Sequence, residues 1–418
     1  MTLRARPDRT LIRHHRRSRR FMLVEVTAPA ANRTHERSPV NLSFVLDRSG
    51  SMGGHKIRLA HRAVEEGIRR LDSRDRLSVI AYDDRVEVVV GSTPASAEAK
   101  RNALARLAAI DARGSTNLAE GWLRGCEQVA AHSAPDQVDR CLLVTDGLAN
   151  VGITDQAELE RHAAEIAQRG ITTSTFGIGV DFDEQLLGAI ATNGRGNFRF
   201  IEQAVQIPDF ITSEVGETLD VVARDVTLEI ETEPGVIVEA VGPFKSHGVA
   251  GRTVVELGDM VSEQHLDLVL RFVFPAGERG RSTSVRLLLR DRDGVLSTAP
   301  VDAVWHYSDD AACDAQPRDV SVDRAVAGRF AARARQAAVA LNKSGRFAQA
   351  SEELAGVGRR IRQYAGTDAE LNALADELEH QTLDYAAPMP AQALKQAHFA
   401  SMNVSRGRDA MGSARRAR

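Results

Sequence analysis

The feature that most constrains this chain is a set of short, wholly apolar runs, each ending in polar residues and each followed by a helix-like pattern. "NLSFVL" (41–46) ends on Asp47, and Ile57, Ala60, Val64, Ile68 and Leu71 then recur at helical spacing. "RCLLVTDG" (140–147) precedes "DQAELERHAAEIAQRG", and "ITTSTFGIG" (171–179) precedes "DEQLLGAIATNG". A strand without polar alternation has no face for water, so it must be covered on both sides. Strands of this kind alternating with helices specify an α/β fold with a doubly wound, mostly parallel sheet. "RLSVIAYD" and "VEVVV" add a pair separated by the hairpin-like break Asp83-Asp84-Arg85. Helices are expected over 95–109, from Asn117 to Ala131, and after the last strand, "GNFRFIE", as far as Val222.

After Arg224 the pattern changes. "DVTLEIETEPGVIVEAVG", "RTVVELGDM", "HLDLVLRFVF", "TSVRLLLRD" and "VDAVWHYS" are strands joined by turns such as Pro234-Gly235 and Asp293-Gly294. With no helical pattern between them, they predict an antiparallel β-sandwich. From Val320 the chain is alanine-rich, and helices fit over 321–343, 346–365 and 368–382 and after Pro390, giving a C-terminal α-helical region. The expected order is a basic, disordered 1–19; a strand and linker over 20–37; the α/β domain over 38–222; the sandwich over 223–310; helices over 319–403; and a basic tail over 404–418. A length of 418 residues suits two or three domains.

The formal net charge of −3 excludes a nucleic-acid polycation as a whole-chain description, and no nucleic-acid partner is expected. Residues 1–20 hold eight arginines and one acid, Asp8, which reads as a solvated tail. Three cysteines without CxxC spacing offer neither a zinc knuckle nor a disulfide framework. Arg and His stand where a signal peptide needs an apolar core, and no run is long enough to span a membrane. A cytoplasmic protein is expected.

Buried parallel strands deliver their next residues to the carboxyl edge of the sheet, where such folds bind ligands. Three loops there carry oxygen side chains: Asp47, Ser49 and Ser51 after "FVL", Ser115 and Thr116 before the helix at Asn117, and Asp146 after "LLVT". Alternate residues of an extended loop point the same way, so Asp47, Ser49 and Ser51 can converge. Hydroxyls and carboxylates are hard donors that suit magnesium, while the soft ligands that select zinc or copper are missing. Two carboxylates balance a divalent cation only formally. Held partly through water, they leave the ion electrophilic enough to accept a carboxylate from another protein.

The pattern Asp47-x-Ser49-x-Ser51, then Thr116, then Asp146-Gly147, resembles the metal-ion-dependent adhesion site (MIDAS) of von Willebrand factor type A domains. The resemblance covers about residues 38–218, and all five positions match in order and placement. It implies a central, mostly parallel sheet and a divalent ion, usually Mg2+, with Mn2+ or Ca2+ as substitutes. It also implies a protein partner that offers Asp or Glu. Ser49, Ser51 and Thr116 would be direct ligands, and Asp47 and Asp146 direct or water-mediated ones. The domain order is similar to that of bacterial relatives of inter-alpha-trypsin inhibitor heavy chains. That likeness suggests that Phe21–Ala28 joins the sandwich, the metal domain being inserted between sandwich strands.

Blander readings exist residue by residue. Serines after a strand are usually a turn, and Asp83-Asp84 reads as one. His55 and Lys56 read as solvated first-turn helix residues, Arg113 as an idle surface arginine or a contact for a partner's acid, and Trp122 as partly buried. An enzyme is not expected. "GSMGGHKI" lacks both the spacing and the hydroxyl residue of a phosphate loop. No GxSxG or HExxH occurs, and no His or Glu stands in the three loops as a base. Alternatives to a free-standing binding module are an adaptor subunit for an AAA+ ATPase of the MoxR or chelatase kind, an ion that only tethers loops, and, last, a metal-assisted hydrolase.

Overall fold

A computed structural model of the chain describes residues 1–31, 37–249, 251–294 and 298–416. The chain forms two units, Asn32–Val221 and the combination of Met1–Ala31 with Val222–Arg418. In order, β1 (Thr2–Pro7), β2 (Leu11–Arg13) and β3 (Ser18–Thr27) open the second of these units. The first unit follows as β4 (Val40–Asp47), α1 (His55–Arg70), β5 (Arg76–Tyr82), β6 (Val86–Pro94), α2 (Ala97–Leu107) and α3 (Leu118–Ala130). It continues with β7 (Val138–Thr145), α4 (Gln156–Gln168), β8 (Ile171–Ile178), α5 (Glu184–Asn193), β9 (Arg195–Ile201) and α6 (Ile207–Leu219). The chain then returns as β10 (Val221–Thr232), β11 (Ile237–Val241), β12 (Ser246–Val249), β13 (Arg252–Val261), β14 (His265–Phe274), β15 (Ser282–Arg290) and β16 (Val301–Ser308). Helices α7 (Asp310–Ala315), α8 (Val320–Lys343), α9 (Phe347–Ala365), α10 (Ala369–Tyr385) and α11 (Ala391–Ser405) complete it.

The Asn32–Val221 unit is a six-stranded sheet in the order β6-β5-β4-β7-β8-β9. All neighbours are parallel except the edge strand β6, which runs antiparallel to β5. Every residue of β4, β7 and β8 is buried, as strands covered on both faces require. The cover comes from both sides. Gly67 of α1 lies against Phe44 of β4 and Val215 of α6, whereas Gly125 of α3 lies against Val45, the neighbouring residue on the opposite face. Leu118, Trp122, Cys126 and Val129 form the buried stripe of α3 at three- and four-residue spacing.

The other unit is a β-sandwich with a helical region. One sheet has the order β1-β3-β14-β11 and the other β12-β13-β10-β15-β16-β2. β3 pairs antiparallel with β14 from Ser18↔Phe274 to Thr27↔His265, so the strand expected from Phe21–Ala28 lies inside a sandwich sheet. Met22, Val24 and Val26 face the sandwich core, while Leu23 packs outward with Val269 against Val322 and Val326 of α8.

The basic N-terminus corrects the sequence reading. Residues 1–19 are not disordered: β1 pairs with β3, β2 pairs with β16, and Ile12 is fully buried. Some of the arginines have partners distant in sequence, such as Arg13 with Asp310 at 2.7 Å and with Asp314 at 2.5 Å. The basic tail is likewise engaged, since the His265 amide donates to the Arg415 carbonyl at 2.7 Å and Gln264 bridges to Arg416. Residues 417–418 of that tail, and 32–36 of the expected linker, lie outside the described residues. The β16–β2 pair is parallel, so the sandwich is not purely antiparallel, and α7 is a helix the sequence pattern did not suggest.

The close seating of α3 fixes the loop that precedes it. A Cβ on Gly125 would lie 2.2 Å from Val45 Cγ2, and one on Gly121 2.5 Å from the Tyr82 ring. Gly125→Ala is therefore expected to cost about 1–3 kcal/mol in a urea unfolding experiment; an unchanged midpoint would mean that the helix does not ride this close.

Candidate metal centre

β4 is followed by β5 on one side of the sheet and only later by β7 on the other. Strand order reverses between β4 and β7, and a crevice at the carboxyl ends of such a pair is where α/β sheets bind ligands. Asp47 ends β4, and Asp146 directly follows β7.

Backbone hydrogen bonds lock the three loops together. The Arg48 amide donates to the Tyr82 carbonyl at 2.8 Å, the Arg113 amide to the Arg48 carbonyl at 2.6 Å, and the Gly50 amide to the Gly114 carbonyl at 3.1 Å. The Asn117 amide donates to the Asp83 carbonyl at 2.7 Å, and its side chain caps α3 by accepting the Glu120 amide at 3.4 Å. Thr116 is held by Asn150, whose Oδ1 accepts the Thr116 amide at 3.0 Å while the Asn150 amide donates back to the Thr116 carbonyl at 3.3 Å.

On this frame the sequence-expected side chains converge. The Ser49 and Ser51 hydroxyl oxygens lie 3.1 Å apart, and Ser51 donates to Asp146 Oδ1 at 2.6 Å. The Ser49 amide donates to Asp47 Oδ1 at 2.7 Å. Asp146 is followed by a glycine where a side chain would intrude: a Cβ on Gly147 would sit 3.3 Å from Thr116 Oγ1 and 3.7 Å from Ser51 Oγ. All five residues, Asp47, Ser49, Ser51, Thr116 and Asp146, thus meet at one place. Ser115 is exposed, whereas Thr116 is buried beside the cluster.

Electrostatics distinguish the two carboxylates. Both are fully buried. Asp47 is held by neutral donors: the Ser49 amide, and the Thr145 hydroxyl, which donates to Oδ2 at 2.6 Å. Burial pushes the Asp47 carboxyl up to about 6, against the opposing pull of the Thr145 and Ser49 hydrogen bonds. Asp146 has a cation, because the Lys56 ammonium is ion-paired with its Oδ2. Thr145 and Lys56 are functional neighbours that sequence reasoning missed. A threonine directly before the "DG" pair carried a signal for the first. Lys56 corrects the expectation of a solvated helix residue. An all-oxygen donor set containing a buried carboxylate that, among the described residues, is hydrogen-bonded by neutral groups fits a hard divalent cation.

Other expectations also change. Arg113 is not idle: its Nε donates to Asp83 Oδ2 at 2.8 Å, beside Arg48 Nε at 2.9 Å on the same oxygen. Burial opposes ionisation of Asp83, yet these contacts and the Arg85 amide hold it below its ordinary value. Trp122 is fully buried, its indole donating to Thr173 Oγ1 at 3.1 Å. In the other unit Glu25, His265 and Asp267 bring ligand atoms within 4.8 Å of one another. They are half-exposed on neighbouring strands, with Arg6 at 3.6 Å from Glu25, which is the arrangement of a cross-strand ion-pair group.

Residues 41–213 match the family model of the von Willebrand factor type A domain. The YfbK protein of Escherichia coli is 29% identical over 287 residues, which is 66% of this chain and 48% of that one. The sll0103 protein of Synechocystis is 31% identical over 268 residues, 60% of this chain and 61% of that one. Human inter-alpha-trypsin inhibitor heavy chain H4 is 28% identical over 182 residues, 41% of this chain and 20% of that one. The chain thus spans less than two thirds of the length of each of these relatives. Two solved structures share the fold over nearly the whole chain. A von Willebrand factor type A protein from Catenulispora acidiphila has a TM-score of 0.69 at 17% identity, covering 91% of this chain and 96% of its own. The ArnB paralog VWA2 from Sulfolobus acidocaldarius has a TM-score of 0.63 at 16% identity, covering 97% and 98%. Among the described residues no helix is long and apolar enough to cross a membrane.

The raised Asp47 value has a consequence for stability. The folded chain holds this proton more tightly than an unfolded one, so the contribution is fully present below the ordinary value of 3.8 and is lost as pH rises through about 6. In chelator at pH 8, Asp47→Asn is expected to stabilise the fold by about 2–3 kcal/mol, with the gain disappearing toward pH 4. Denaturant melts across that range check it; a variant less stable at pH 8 would contradict the assignment.

Proposed function

We propose that the type A domain of this chain is a divalent-cation-dependent protein-binding module, with Mg2+ as the resident ion and Mn2+ or Ca2+ able to replace it. Ser49, Ser51 and Thr116 would ligate the ion directly, and Asp47 and Asp146 directly or through water. The observation that carries this reading is the meeting of two fully buried carboxylates with three hydroxyls from two loops, Asp47 being hydrogen-bonded, among the described residues, by neutral donors. The ion would supply an electrophilic corner for one carboxylate of a partner protein.

A single such contact gives modest affinity, because desolvating the incoming acid offsets much of the Coulomb gain. The neighbouring surface therefore sets specificity. Leu148, two residues after Asp146, is 55% exposed and offers an apolar contact beside the acid. Catalysis is not part of the proposal. Among the described residues, the side chains that bond the five site residues from outside the set are Thr145, Asn150 and Lys56, with no His or Glu among them to serve as a base. An AAA+ ATPase could be the partner that supplies the acid, with no change in the site.

Two outcomes are expected. A partner captured in Mg2+ should elute with EDTA, and one retained at full strength in chelator would defeat the docking reading. Thr116→Ala should weaken Mn2+ binding about tenfold or more by calorimetry while leaving the melting temperature in chelator almost unchanged; unaltered Mn2+ affinity would remove Thr116 from the ligands.

A further inference from the structure

One charged group at the site has no part in holding the cation. Lys56 is the second residue of α1, and the chain turns into that helix at Gly54, whose φ of +75° few side chains tolerate. From there the Lys56 ammonium folds back over the loop. It is ion-paired with Asp146 Oδ2 and donates to the Ser51 carbonyl at 3.3 Å. The lysine side chain is 30% exposed and that of Asp146 is fully buried, so solvent screens this pair less than a surface pair. The two oxygens of Asp146 face different groups, Oδ1 accepting from Ser51 and Oδ2 from Lys56. A cation among the hydroxyls and an ammonium on the outer side can therefore be held at once.

Counting charge shows what the ammonium does. Asp47, Asp146 and Lys56 together carry −1 when the carboxyls are ionised. A divalent cation brings the set to +1, and one carboxylate guest brings it to neutrality. Without Lys56 the same steps run from −2 to neutral and then to −1. Arg48 and Arg113 do not alter the balance, because they are paired with Asp83 and Glu87. We propose that Lys56 tunes the site toward anions: it weakens the hold on the divalent cation and strengthens the hold of the loaded site on a carboxylate. This rests on the reading that the site binds a cation. Lys56 is a positioning residue, acting through the field at Asp146 rather than by ligation.

A tether that merely stiffens the loop would change both affinities in the same direction when removed. An electrostatic role changes them in opposite directions. The test uses the full chain stripped with EDTA, Mn2+ as the cation and acetate as the anion. Mn2+ affinity is read by calorimetry, and acetate binding by paramagnetic broadening of its proton signal at matched Mn2+ occupancy. For Lys56→Met we expect Mn2+ to bind about tenfold more tightly and acetate about tenfold more weakly, with Lys56→Arg restoring both toward wild type. Lys56→Gln takes its place if the Met variant fails to fold. Mn2+ affinity that is unchanged or lower in the variant overturns the proposal, as does acetate binding that does not fall. Absence of Mn2+ uptake by the wild-type chain overturns the cation reading and this proposal with it. Uptake that Thr116→Ala weakens but Lys56→Met leaves alone overturns only the role of Lys56.

Discussion

Two carboxylates buried side by side at the end of adjacent strands are the constraint on which the rest of the domain depends. An ionised carboxylate taken out of water costs several kcal/mol unless a cation or a full set of donors repays it. Elsewhere in the Asn32–Val221 unit the repayment is visible. Glu214 has Arg199 at 2.8 Å, Asp83 has Arg48 at 2.9 Å, and Asp75 has Arg37 at 2.6 Å. Asp146 has Lys56, but Asp47 has a hydroxyl and an amide. At the crevice where strand order reverses, Asp47 is therefore a fully buried acid that, among the described residues, is hydrogen-bonded by neutral donors.

The fold delivers that point through packing rather than through the loops alone. β4 and β7 are neighbours in parallel register, Leu46 opposite Val144, which brings the next residues of each strand within reach of one another. The Thr145 hydroxyl spans the gap to Asp47. The middle loop is placed from the other side, by α3 seated on glycines against Tyr82 and Val45 and by the Asn117 amide bonded to Asp83. Asp83, pinned by two arginines, is thus a structural post for the metal loops rather than part of the metal site.

Much of this was legible in the sequence because it depends on local pattern. Apolar runs without alternation marked the strands covered on both faces, and the spacing of Asp47, Ser49 and Ser51 put three oxygens on one side of a loop. Thr116 was separable from Ser115 only by the family resemblance; in the fold the distinction is burial. What stayed hidden depends on contacts between segments far apart. Lys56 reads as an ordinary first-turn lysine because nothing local shows that its side chain folds back to a residue ninety positions on. The arginine-rich N-terminus reads as a solvated tail because the strand partner of β2, which is β16, and the acids Asp310 and Asp314 come some three hundred residues later. Composition reports how much charge a segment carries, not whether the partners are waiting elsewhere in the chain.

The central claim is that the five oxygen side chains enclose one hard cation. Anomalous diffraction from a crystal soaked in Mn2+ tests it most directly. A single strong peak is expected about 2.1 Å from the hydroxyl oxygens of Ser49, Ser51 and Thr116. No peak there, or a peak only at Glu25, His265 and Asp267, would contradict it.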